Sequence, residues 1–149
     1  MTKRNIIIGS IIAGVINLII NSTRYWYAMG EQYPTIFLTQ DSISSTVPSV
    51  FSKAVPLAVS LCFFVTSIAF LTTKMKDKPS YFPGYFLKAL KHCVFAFGLV
   101  TIFAVLFQKY FGAIEVSHLT ASIVTGIVSG FVATLVDYET KTSLHLDRE

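Results

Sequence analysis

Three imidazoles, two thiols and eight carboxylates are the groups from which this chain could build chemistry. Haem ligation or a zinc site needs several such groups in one place. His92 and His118 fall at opposite ends of two apolar runs, nearly a membrane apart, and His145 lies in a polar tail. They cannot share a metal, and each reads as an interfacial side chain. His92 and Asp137 fall at a similar depth, where they could pair. A thiol oxidoreductase needs a Cys-x-x-Cys pair, but Cys62 and Cys93 stand alone inside apolar runs. A thiol there stays protonated, so both read as small core residues. Ser129 is flanked by Gly126 and Gly130, yet a serine nucleophile needs a reachable base, and His118 falls toward the other membrane face. No phosphate-binding loop, dinucleotide fingerprint or metal-ligand spacing occurs. Proton-coupled four-helix transporters carry a carboxylate inside their spans, and none falls inside the apolar runs here. The chain therefore reads as no enzyme, with no cofactor and no metal.

The remaining polar residues repeat at helical spacing. Gly9, Ala13, Asn17 and Asn21 are four apart, with Ser10 and Gly14 alongside. Residues four apart share one helix face. A second pair of rows is Ser122, Gly126, Gly130, Thr134 and Thr125, Ser129, Ala133, Asp137. Small residues let helices approach closely, and close contact is the main adhesive between helices in lipid. Gly9, Ala13, Gly126 and Gly130 are thus expected to pack. Two asparagines on one face usually serve interhelical hydrogen bonds. The alternative is a polar pocket lined by Asn17, Asn21, Ser122 and Thr125, because both rows carry polarity toward the same end.

The elements that must position these residues follow from composition. Of 149 residues, 53% are hydrophobic and only 13% charged; mean hydropathy is +0.63. An ordinary soluble domain is about 25% charged, and a disordered chain needs the opposite balance. A spanning helix takes about 20 apolar residues, and lipid forces the backbone to satisfy its own hydrogen bonds. Four runs qualify. The expected fold is all-α, an integral membrane four-helix bundle forming one domain over residues 1–149. Its helices should cover about 5–22, 47–74, 88–110 and 117–138, with an outer loop 23–46 and an inner loop 75–87. The first run lacks a small-residue cleavage site, so it reads as an uncleaved helix rather than a signal peptide.

Lys and Arg set the orientation. With the N-terminus inside, Lys3, Arg4, Lys74, Lys76, Lys78, Lys88, Lys91, Lys141 and Arg148 lie inside; only Arg24, Lys53 and Lys109 lie outside. Both termini are therefore expected in the cytoplasm, and the formal charge of +4 becomes a topology signal rather than a sign of nucleic acid. Tyr25 and Trp26 read as a headgroup-level belt. Tyr33 to Leu38 is too short to span, and should dip into the interface or cap the bundle. Thr46 is a candidate cap for the second helix, with Pro48 in its first turn, and Pro56 should bend it. Lys74, Lys76, Lys78, Lys88 and Lys91 alternate with aromatics and should hold the inner loop against lipid headgroups. The tail after Asp137 is expected to fray past one or two helical turns.

One stretch carries a resemblance. Ile16-Asn17-Leu18-Ile19-Ile20-Asn21 has its asparagines four apart, and Trp26 follows. A second helix with Thr and Pro and a small-residue fourth helix with a short polar tail complete the pattern. The whole chain resembles a family of small uncharacterised bacterial four-helix inner-membrane proteins. That family has no established activity, so the resemblance implies architecture alone. Two functions stay open: a structural or accessory protein that packs or self-associates through small-residue faces, and a small permease or channel with an outer-facing polar pocket. The expected partners are membrane lipids and either further copies or a larger membrane complex.

Overall fold

The computed structural model describes residues 2–29, 36–39, 49–75 and 78–146. Its long helices are α1 (Lys3–Met29), α2 (Val50–Thr72), α3 (Phe86–Phe111) and α4 (His118–Leu146). Each is long and apolar enough to cross a membrane. The shortest, α2, has 23 residues, about 35 Å at about 1.5 Å per residue, against about 30 Å of hydrocarbon. The fold is an all-α integral membrane bundle of four helices.

Packing runs in the order α1, α4, α2, α3. The pairs α1/α2 and α3/α4 meet far less, so the cross-section is a zigzag with two open seams. Its middle is apolar: Ala54, Ala58, Cys62 and Val65 of α2 meet Ala96 and Val100 of α3 and Val132, Ala133 and Val136 of α4. These side chains are small, which draws the helices together. The bulky ones point outward. Ile8, Ile12 and Ile19 of α1 and Phe95 and Phe103 of α3 are exposed, as expected where the solvent is lipid.

The tightest seam joins α1 to α4. A Cβ on Gly14 would lie 2.8 Å from the Gly130 carbonyl oxygen, and one on Gly126 would lie 2.9 Å from that of Leu18. Gly126 and Gly130 thus pack as the sequence predicts, but their partner row is Ser10, Gly14, Leu18 and Ser22. The predicted row lies one residue round the helix. Gly9 stands 3.6 Å from Lys141 Nζ as measured from a built Cβ, and Ala13 is half-buried, so both flank the seam. Adjacent rows are about 100° apart on a helix, and with small residues in both, hydropathy does not separate them.

The helix ends differ more. α1 runs seven residues past the expected 22, to Met29, so the start of the expected outer loop is helical. α2 is capped by Ser49, whose Oγ accepts from Ser52 N at 3.1 Å; Thr46 and Pro48 lie outside the described residues. Pro56 sits inside α2. A short π-helical turn, Tyr81–Tyr85, leads into α3, which stops at Gly112 with φ +69. α4 begins on Ser117, whose Oγ accepts from Thr120 N at 3.2 Å. It runs past the expected end at 138 and stays helical to Leu146, because Thr140 and Leu144 are buried. Two short strands were not foreseen. β1 (Ile36–Phe37) pairs antiparallel with β2 (Glu115–Val116), and Thr39 Oγ1 donates to Gly112 O at 2.7 Å. This segment ties the α1–α2 connection over the α3–α4 connection, which is the capping role expected of Tyr33 to Leu38. Residues 33–35 lie outside the described residues.

Candidate functional site

The four helices place their polar groups at two levels. One lies at the end carrying the α1–α2 and α3–α4 connections, here the hairpin end. The other lies at the end carrying Lys3 and Leu146, the terminal end.

At the hairpin end a cavity of about 350 Å³ lies in the α1/α2 seam, lined by Asn21, Arg24, Tyr25, Lys53, Ser60 and Thr125 among others. Asn21 and Thr125 are therefore brought together as the sequence predicts. Asn17 and Ser122 do not line it. Asn17 sits one turn from Asn21 away from the cavity and gives its amide to Ala13 O at 2.9 Å; Asn21 gives its own to Asn17 O at 2.9 Å. Each asparagine thus spends one amide N–H on its own helix. Thr125 does likewise, donating to Ala121 O at 2.9 Å. Ser122 is buried, and its Oγ has no hydrogen-bond partner among the described residues.

Arg24, Lys53 and Ser60 were not foreseen as lining residues, though a signal for them exists. Asn21, Arg24, Tyr25 and Ala28 follow i, i+3, i+4, i+7 spacing. So do Lys53, Pro56, Leu57 and Ser60. That spacing defines one helix face, so two matching faces flank one connection. The reading of Tyr25 as a headgroup anchor is corrected. It is only 7% exposed, with its ring centroid 6.5 Å from that of His118. Because α1 continues through it, the side chain turns onto α4 instead of into the interface. Trp26 stays exposed on one side and stacks on His118 at 4.3 Å. His118 is thereby an aromatic partner of α1 and not a freely interfacial group. Among the described residues, Tyr25 Oη and His118 Nε2 are buried without a hydrogen-bond partner.

At the terminal end, charge lies deeper than the sequence predicts. Asp137 is buried. It accepts from Ser10 Oγ at 2.7 Å and from Lys141 Nζ at 2.6 Å, which joins α1 to α4. His92 is buried too. Its Nδ1 lies 2.8 Å from Thr66 Oγ1 of α2, and its Nε2 lies 3.5 Å from Glu139 Oε1. That contact is too long for a hydrogen bond. The expected His92–Asp137 pairing is thus replaced by His92–Glu139. Asp137 and Glu139 are two residues apart and so project on different sides of α4. Since α4 continues past Asp137, the carboxylate lies within the helix.

The inner loop lysines divide. Lys74 and Lys91 are exposed, consistent with headgroup contact. Lys76 lies outside the described residues. Lys78 instead sits 4.5 Å from the Phe70 ring centroid and donates to Leu71 O at 3.1 Å. Lys88 donates to Ser143 Oγ of α4. Both therefore serve contacts within the protein, because Tyr81 and Tyr85 turn inward onto Phe70. Cys62 is buried and Cys93 half-buried, both as free thiols. Among the described residues, no group of three or more His, Cys, Asp or Glu comes together for a metal.

A further cavity, of about 310 Å³, lies in the α3/α4 seam and is lined wholly by apolar residues, including Phe51, Phe103 and Phe131. The two seams thus differ among the described residues: Arg24, Lys53 and other polar side chains interrupt an apolar lining in the first, and the second is apolar. In comparisons with known proteins the chain matches no family model, no curated protein and no solved structure.

Proposed function

We propose that the chain is a structural or accessory protein of a bacterial inner membrane, multi-pass with both termini cytoplasmic, acting through packing and without catalytic chemistry. The orientation rests on the Lys and Arg bias between the two ends. The observation that carries the accessory reading is the filled middle of the bundle. Small apolar side chains of α2, α3 and α4 occupy it, and Gly14 meets Gly130 along the α1–α4 seam. Neither region offers a polar route from one end to the other. The expected partners are membrane lipids and either a second copy or a larger membrane complex. Because α1 already occupies Gly126 and Gly130, such association falls to the lipid-facing surfaces.

One observation favours a second reading, a small permease or channel: Asn21 and Thr125 do line a cavity. Two measurements separate them. The full chain is cross-linked in native membranes and purified in mild detergent, and it is reconstituted into liposomes for ion and small-solute efflux. The accessory reading expects a defined complex, with efflux no faster than from empty liposomes. Efflux that disappears on Asn21→Leu, with folding kept, establishes the permease instead.

A further inference from the structure

We draw no further inference here: the strongest candidate, the apolar cavity in the α3/α4 seam lined by Phe51, Phe103 and Phe131 among others, is an unpartnered apolar face within the spans, and nothing in the structure shows what covers it.

Discussion

Gly14 and Gly126 leave no room for a methyl group, since a Cβ at either would press on backbone oxygen of the facing helix. Forcing volume into a well-packed contact costs about 1 to 3 kcal/mol. Gly14→Val is accordingly expected to lower the unfolding midpoint in detergent sharply. Gly98 is the control. A Cβ there meets nothing within 4 Å, and α3 is helical through it, so Gly98→Ala should be neutral or stabilise by up to about 1 kcal/mol. Equal loss in both variants would remove the special status of the α1–α4 seam. The carboxylate of Asp137 supplies a second residue-scale test. It holds Ser10 of α1 and Lys141 of its own helix. Breaking a buried charge pair by removing one partner costs about 3 to 5 kcal/mol, whereas one interhelical hydroxyl bond in a membrane contributes about 1 kcal/mol. Asp137→Leu should therefore destabilise the chain well beyond Ser10→Ala. Matching small losses in equilibrium unfolding would show that the carboxylate is not held as described.

Each helix owes its existence to lipid and its ends to neighbours. The four spans are legible in the sequence because hydrocarbon thickness demands about 20 apolar residues, and nothing soluble competes with that pattern. The extensions are not legible. α1 continues through Arg24-Tyr25-Trp26, a polar-aromatic stretch that by composition reads as an interfacial belt; what keeps it helical is the packing of Tyr25 and Trp26 on His118. α4 continues through Glu139-Thr140-Lys141, which reads as a solvated tail; what holds it is Leu144, fully buried in a cluster with Phe70 and Tyr85. Contacts between distant segments leave no local trace. The same cause hid half of the candidate site. Asn21 and Thr125 were visible as polar residues inside apolar runs, whereas Arg24 and Lys53 join them only once α1 is long enough and the α1/α2 seam is open. The α4 extension has its own test. Leu144→Ala removes a fully buried side chain, a change that costs about 2 to 5 kcal/mol. It should lower the unfolding midpoint, while Leu146→Ala, at an exposed position, should not. No effect from Leu144→Ala would return the tail to a frayed end.

At the scale of the whole molecule, the zigzag order α1, α4, α2, α3 explains why two seams are open and why they differ. Polar residues gather where α1 and α2 flank α4; aromatic residues gather where α3 and α4 flank α2. The proposed orientation rests on the Lys and Arg bias alone, and reporter fusions should place both termini in the cytoplasm; a periplasmic terminus would overturn it. The small-residue face decides most about function. If it joins α1 to α4 within one chain, it builds a sealed bundle; if it joins two chains, the molecule is an assembly of another kind. Trp26 of α1 and His118 of α4 lie on the same seam, clear of its glycines, with ring centroids 4.3 Å apart. The direct measurement is cross-linking of Trp26→Cys/His118→Cys by a short bis-maleimide, with Cys62 and Cys93 replaced by alanine, in native membranes. The expected product is a cross-linked species that runs as one chain. A product that runs as two chains, with no internal cross-link, would contradict a seam closed within the molecule.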